Sequence, residues 1–322
     1  MDALDRRLLN GLQEAFPLST RPFQGLGEGF GLTEAECLER VKRLHAEGLI
    51  RHINALFEGR ALGYSGSLVA LRVSDSWLDS AAALINAHQG VSHNYIREHK
   101  YNMWFTIALP TSQDMRAVIE ELGQRARAQA VLFLPTVRMF KLQAMHWLVD
   151  DGSPAPPERQ RPSAASIELT PRERLAVRAL QRDLSFVARP FPSQAEEMGL
   201  EETELIDIGR GFLDRGIMRR YSAQIHHIKA GLTANGMGCW VVPAKRVEGV
   251  GRELAKSPRV THCYQRPTYP DWPYNLFTML HAPSREECAE IITELSDRVG
   301  VNEYTMLFST RELKKTRVKY FE

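Results

Sequence analysis

The sequence predicts an α+β protein built as a tandem repeat. Each half carries a winged helix-turn-helix followed by a ferredoxin-like βαββαβ unit. Three observations carry this reading. A helix–turn–helix–strand pattern opens each half, a strand–helix–strand–strand–helix–strand order follows it, and short peptides recur at equivalent places. Arg21-Pro22-Phe23 returns as Arg189-Pro190-Phe191, Gly31-Leu32 as Gly199-Leu200, and Gly48-Leu49-Ile50-Arg51 as Gly216-Ile217-Met218-Arg219. The chain reads as a homodimer whose protomers were fused and then diverged.

Each element has a local cause. Leu4, Leu8, Leu9 and Leu12 share a helical face over residues 2–15. Pro17, Pro22 and the glycines of 25–31 predict a break. Thr33, with Glu36 three residues on, is a capping box that opens a second helix bearing Cys37, Leu38, Val41 and Leu44 on one face. Gly48 stops it, and 49–57 reads as a strand. This first winged helix-turn-helix occupies 1–60. Over 61–149 the spacing predicts a strand at 67–73, a helix at 75–88, a hairpin at 91–109, a helix at 112–127 capped by Thr111 or Ser112, and one strand over 130–142. Residues 150–168, rich in proline, serine and charge, read as a linker. The plan repeats as a winged helix-turn-helix over 169–228 and a ferredoxin-like unit over 229–322.

Composition narrows the function classes. A length of 322 residues allows several domains, each with ample core. A formal net charge of +2 implies neither a nucleic-acid-coating nor a strongly acidic protein. Cys37, Cys239, Cys263 and Cys288 are scattered, which argues against a zinc or iron–sulfur site and fits reduced thiols in the cytoplasm. The opening residues are no signal peptide, and no apolar run is long enough for a bilayer, so no membrane partner is expected. Gly25-Leu26-Gly27-Glu28-Gly29-Phe30-Gly31 lacks the strand and spacing of a dinucleotide loop. His226-His227 is a poor metal pair and reads as surface strand. No metal site is expected.

Residues 93–106 organise the chemistry. They read as two strands joined by a turn near 98–100. Alternation places His93, Tyr95 and Arg97 on one face, with His99, Tyr101 and Trp104 at the turn and on the returning strand. The set recurs as His262, Tyr264 and Arg266, followed by a longer proline-rich turn with Tyr269 and Trp272. The same polar set placed twice, with different turns, suggests one asymmetric site for a large, anionic, partly aromatic ligand. Arg138 and Lys141 recur as Arg311 and Lys314. Singly these are solvated strand-end charges; with Arg97 and Arg266 they converge if the sheets face one another. Arginine clamps carboxylates bidentately, and the aromatic residues supply a flat wall.

The stretch Leu32-Thr33-Glu34-Ala35-Glu36-Cys37-Leu38-Glu39-Arg40-Val41-Lys42-Arg43-Leu44-His45-Ala46-Glu47-Gly48-Leu49-Ile50-Arg51 resembles the DNA-reading unit of the Lrp/AsnC regulators. A helix that reads DNA needs basic or amide side chains at its start. The two candidates open on Glu34 and Glu36, and on Glu201, Glu202 and Glu204, so no DNA binding is expected. An Lrp/AsnC-type regulator with a tetrapyrrole or amino-acid effector is the rival reading, and a non-catalytic tetrapyrrole carrier a third.

More specifically, His93-Asn94-Tyr95-Ile96-Arg97-Glu98-His99-Lys100-Tyr101-Asn102-Met103-Trp104-Phe105-Thr106 resembles one subunit type of the sirohaem decarboxylases. Tyr269-Pro270-Asp271-Trp272-Pro273-Tyr274-Asn275-Leu276-Phe277-Thr278 and the closing 309–317 resemble the partner subunit. The resemblance covers nearly the whole chain and implies the fused two-subunit, Lrp/AsnC-like form of haem d1 biosynthesis. The implied reaction converts sirohaem to 12,18-didecarboxysirohaem. It removes CO2 from two acetates, with the macrocycle as electron sink and no added cofactor. The expected partners are sirohaem, other haem d1 biosynthesis proteins and a second copy in a homo-oligomer. Under this resemblance His99 is the expected principal acid, with His93, Tyr95 and Tyr101 beside it. Arg97, Trp104, Arg138, Lys141, His262, Tyr264, Arg266, Tyr269, Trp272, Arg311 and Lys314 are the expected substrate contacts.

Overall fold

The computed structural model describes residues 1–142, 167–225 and 234–322. Most of the expected linker, and the His226-His227 pair, lie outside the described residues. In chain order the first half runs α1 (Ala3–Glu14), α2 (Pro22–Glu28), α3 (Glu34–Ala46), β1 (Ile50–Phe57), β2 (Tyr64–Arg72), α4 (Leu78–Ala87), β3 (Val91–Arg97), β4 (Met103–Pro110), α5 (Met115–Arg125), β5 (Ala130–Pro135) and β6 (Arg138–Leu142). The second half runs α6 (Pro171–Leu180), α7 (Phe191–Glu196), α8 (Glu202–Asp214), β7 (Met218–Ile225), β8 (Ala234–Trp240), α9 (Val247–Lys256), β9 (Val260–Gln265), β10 (Leu276–Ala282), α10 (Arg285–Val299) and β11 (Tyr304–Lys315).

These elements form two compact units. The first draws on residues 1–63, 167–225 and 319–322 among those described, so the last four residues leave the second ferredoxin-like unit to which the sequence assigns them. Its helices flank a two-stranded sheet in which β1 pairs with β7, so each wing strand is completed by the other half. The Thr33–Glu36 capping box opens α3, as its spacing requires. Gly48 and its repeat Gly216 take φ of 71° and 72°, left-handed values that end α3 and α8. The break expected near Pro22 is instead helix α2. Proline stands at its first turn, where a missing N–H costs nothing. Its Gly27 is required because a Cβ there would lie 2.8 Å from the Leu32 carbonyl oxygen.

The second unit contains both ferredoxin-like halves. Its strand order is β5-β2-β4-β3-β11-β8-β10-β9-β6. The single strand expected over 130–142 is split at Thr136 and Val137. β5 stays on β2, whereas β6 crosses to β9 of the other half. β11 does both jobs without a break: Tyr304 to Phe308 pair with β8, and Ser309 to Lys315 pair with β3. Since β5 and β6 are consecutive in the chain, the two ends of the strand order are one stretch of backbone, and the sheet returns on itself. Helix α5 starts later than expected and is capped by Asp114, whose carboxylate accepts from the Arg116 and Ala117 amides.

Strand alternation divides the apolar residues of this unit between two faces. In the first half Val69, Leu71, Phe105 and Ile107 pack with Ile85, Ile119 and Leu122 of α4 and α5. In the second, Val260, Leu276 and Leu280 pack with Leu254, Ile292 and Leu295 of α9 and α10. The other face carries a third cluster drawn from both halves, with Trp104, Leu134, Tyr101, Cys239, Trp272, Phe277 and Leu307 among its members.

Phe140 of the crossing strand β6 packs among the core residues of the second half, and Gly251 of α9 makes room for it. A Cβ on Gly251 would lie 2.5 Å from the Phe140 ring, whereas one on Gly249 of the same helix meets nothing within 4 Å. Gly251→Ala is expected to destabilise by about 1–3 kcal/mol through overpacking. Gly249→Ala is expected to stabilise by about 0.5–1 kcal/mol by reducing the freedom of the unfolded chain. Opposite shifts of the urea midpoint would show this; two shifts of one sign would not.

Candidate functional site

The site is built from the paired hairpins of the second unit. In β3, Ile96 packs on the helices, and the Asn94 amide donates to Asn86 Oδ1 at 3.0 Å. His93, Tyr95 and Arg97 therefore point to the other face. In β9, Cys263 packs on α9 and α10, so His262, Tyr264 and Arg266 point away from those helices. Matched asparagines lock both hairpin ends. Asn102 exchanges hydrogen bonds of 2.8 and 3.0 Å with the Val73 backbone, and Asn275 exchanges bonds of 2.7 and 3.0 Å with that of Val242. Their carbonyls accept the Arg97 and Arg266 amides, both at 2.9 Å.

Each arginine reaches from its own hairpin to the other half. Arg97 Nη1 donates to the Leu307 carbonyl at 2.7 Å, and Arg266 Nη1 donates to the Leu134 carbonyl. They are 5% and 9% exposed, and each Nε is buried without a partner. Tyr95 lies under the Arg97 guanidinium at 5.7 Å, and Tyr264 under that of Arg266 at 5.0 Å. Among the described residues no carboxylate is bonded to either. Burial pushes both down to about 10, yet both remain cationic at neutral pH.

The two imidazoles of this face are held alike. His93 Nδ1 lies 3.0 Å from Ser92 Oγ and 3.4 Å from Thr106 Oγ1, and His262 Nδ1 lies 3.0 Å from Thr261 Oγ1. Each ring stands beside its tyrosine, with centroids 6.3 and 6.1 Å apart. Sequence reasoning missed Ser92 and Thr261. The repeat contains the signal, since a hydroxyl residue precedes the histidine in both copies.

Four expected contacts are not brought to this face. Arg138 pairs with Glu248 at 2.7 Å, and Arg311 with Asp79 at 2.9 Å, both exposed on the helix side. Lys141 Nζ donates to the Ser257 carbonyl at 2.8 Å, and Lys314 Nζ to those of Asn86 at 2.7 Å and His88 at 3.3 Å. Both lysines thus meet carbonyls at the C-terminal end of a helix, where a cation is favoured. Their repeat across the halves reflects this shared scaffold. The physical reason is parity: Arg138 and Arg311 oppose Gln265 and Ile96, whose side chains face the helices.

The aromatic residues pack between the halves. Trp104 and Trp272 are 1% and 0% exposed, with ring centroids 5.3 Å apart. The Tyr101 hydroxyl donates to Asp271 at 2.6 Å, and that of Tyr269 to the Phe133 carbonyl at 2.6 Å. Burial, with Asp271 second, pushes Tyr101 up to about 12. His99 also sits in this cluster, edge-on to Trp272 at 5.3 Å. Its Nδ1 accepts the Tyr101 backbone N–H at 3.0 Å, which leaves the proton of the neutral ring on Nε2. Burial, with the Lys100 charge second, holds its pKa below the usual value. Both effects work against His99 as an imidazolium donor.

Because the folded chain binds the His99 proton less tightly than the unfolded chain, its contribution to stability is complete above the unfolded pKa of about 6.5. That contribution is lost as pH falls below this value. In histidine-ring NMR, His99 is expected as the Nε2–H tautomer at pH 7.5, with a midpoint below 6.5. A midpoint above 6.5 would contradict the assignment.

Comparison with known proteins agrees with this architecture. A family model described as "AsnC-like ligand binding domain" matches residues 61–141 and 229–314. Another, "Siroheme decarboxylase NirDL-like HTH domain", matches 5–51 and 173–219. The chain is 37% identical over 317 residues to the "Siroheme decarboxylase" of Hydrogenobacter thermophilus, covering 98% of this chain and 94% of that protein. It is 37% identical over 318 residues to the "Siroheme decarboxylase NirDL subunit" of Paracoccus denitrificans, covering 97% and 95%. A crystal structure of the siroheme decarboxylase NirDL in co-complex with an iron-uroporphyrin III analogue superposes with a TM-score of 0.75 at 33% identity, covering 100% of this chain and 95% of that one. This chain belongs to the sirohaem decarboxylase family.

Proposed function

We propose that the chain converts sirohaem to 12,18-didecarboxysirohaem, as a step of haem d1 biosynthesis. The observation that carries the reading is the pair of buried guanidinia, Arg97 and Arg266, with no carboxylate bonded to either among the described residues. An uncompensated buried cation is costly, and an anion bearing several carboxylates would offset that cost. In each CO2 loss the bond between the acetate methylene and its carboxyl carbon breaks. The electron pair stays on the methylene carbon, spreads into the macrocycle, and a proton closes the methyl group. The ring is the electron sink, so the chemistry calls for no added cofactor.

Role assignment follows from where charge changes. An arginine on a departing carboxylate would stabilise the ground state more than the transition state. Arg97 and Arg266 therefore hold carboxylates that the substrate keeps. Histidine suits the proton donor, because it titrates near neutrality. We assign this role to the imidazole pair His93 and His262, held through Nδ1 and at least one of them donating, in place of His99. Tyr95 and Tyr264 orient the substrate side chains bound beside them. A DNA-reading role has little support. Helices α3 and α8 open on Glu34 and Glu36 and on Glu202 and Glu204, and Arg21, Arg189 and Arg172 are paired with three of these carboxylates.

Anaerobic incubation with sirohaem followed by mass spectrometry is expected to show loss of two CO2. A bound, unchanged macrocycle would make the protein a carrier, and an operator-specific complex in a low-salt mobility shift would make it a regulator. Arg97→Ala and Arg266→Ala are each expected to weaken sirohaem binding by about 1–3 kcal/mol, with only partial rescue by lysine. At least one of His93→Ala and His262→Ala should lose turnover by about a hundredfold while still binding. Wild-type affinity in both arginine variants would overturn the anchoring role, and wild-type turnover in both histidine variants would overturn the donor role.

A further inference from the structure

The two triads are near copies, but the strands beside them are not. In β11, Ser309, Glu312 and Lys315 stand opposite Arg97, Tyr95 and His93. In β6, Met139 and Leu142 stand opposite Tyr264 and His262. Residues directly opposite in an antiparallel pair share a face. The first triad therefore has an ammonium and a carboxylate beside it where the second has a thioether and an isobutyl group. Lys315 is the informative residue. Its neighbour Lys314 turns to the helix side, as Lys141 does in the other half. Both of those lysines are explained by the helix ends they meet, whereas Lys315 has no counterpart: Leu142 takes its place. The Lys315 side chain is 12% exposed, and its Nζ lies 4.0 Å from Glu312 Oε2.

Resting on the decarboxylase reading, we propose that the two faces divide the work. The face of His93, Tyr95 and Arg97, with Lys315, holds a carboxylate that the substrate retains. On the other face Arg266 keeps its retained carboxylate, while the end formed by His262 and Tyr264, with Leu142 and Met139 opposite them, receives the acetate that loses CO2, and His262 supplies its proton. An ammonium favours the intact carboxylate, where charge is most concentrated, and so resists its departure. Apolar side chains disfavour that concentrated charge and oppose less its spread into the ring. The two faces differ in charge at two positions, Lys315 against Leu142 and Glu312 against Met139, and the Lys315 ammonium is the one that attracts a substrate carboxylate.

The test uses the full chain under anaerobic conditions, with sirohaem binding followed by absorbance titration and CO2 loss by mass spectrometry. Lys315→Leu is expected to raise the Kd for sirohaem at least tenfold and to reduce its salt dependence, with Lys315→Arg restoring both. Leu142→Lys is expected to bind sirohaem as tightly as the wild type or more so, and to lose turnover at saturating substrate at least tenfold. A Kd within twofold of wild type for Lys315→Leu, or turnover within twofold for Leu142→Lys, would overturn the division. A wild-type chain that binds sirohaem without releasing CO2 would instead refute the decarboxylase reading, and the Lys315 binding comparison would still report on that face.

Discussion

Everything distinctive about the second unit depends on reciprocal backbone pairing, β11 on β3 and β6 on β9. A ferredoxin-like sheet has one face covered by its helices and one face bare. Pairing the last strand of each half onto the other turns the bare faces into a shared interior, filled by Trp104, Trp272, Phe277, Leu134 and Leu307. The same pairing brings the Leu134 and Leu307 carbonyls within reach of Arg266 and Arg97. Neither half could build this environment alone, because each arginine takes its acceptor from the other.

The energetic tension lies in those two guanidinia. A buried ion pair gains little over apolar packing, and a buried cation without its partner is destabilising by several kcal/mol. One backbone carbonyl and the face of a tyrosine ring offset part of this. Orphaned Nε groups show that the compensation stays incomplete. A core optimised only for stability would not keep two such residues. A site preorganised for an anion would, since the cost is met in folding and recovered in binding.

Fusion of the two halves supplies what a homodimer cannot. In a symmetric dimer Lys315 and Leu142 would be one residue, as would Glu312 and Met139, and both faces would be alike. With both copies in one chain, each position varies alone. Beside the two His-Tyr-Arg triads, other equivalent pairs that stayed alike hold structure: Asn102 with Asn275, Lys141 with Lys314, Gly48 with Gly216. The turns show the same freedom. Glu98-His99-Lys100 is short, whereas 267–273 inserts Trp272 into the core between the halves.

Much of this was legible in residue order. Period-two alternation placed His93, Tyr95 and Arg97, and again His262, Tyr264 and Arg266, on common faces, because the pleat itself has that period. The capping box at Thr33 and the glycine at 48 marked the limits of α3, since both signals act through bonds a few residues apart. What sequence could not decide was long-range pairing. The break at Thr136 and Val137, the crossing of β6, and the bulges that turn Arg138, Lys141, Arg311 and Lys314 toward the helices depend on which strand lies opposite, information no local pattern contains. For the same reason His99 looked like a turn histidine open to a cleft until Trp272 and the Tyr101 amide were seen against it. Local chemistry is written in the order of residues; which face a residue meets, and whether its partner is Lys315 or Leu142, is settled only when distant strands pair.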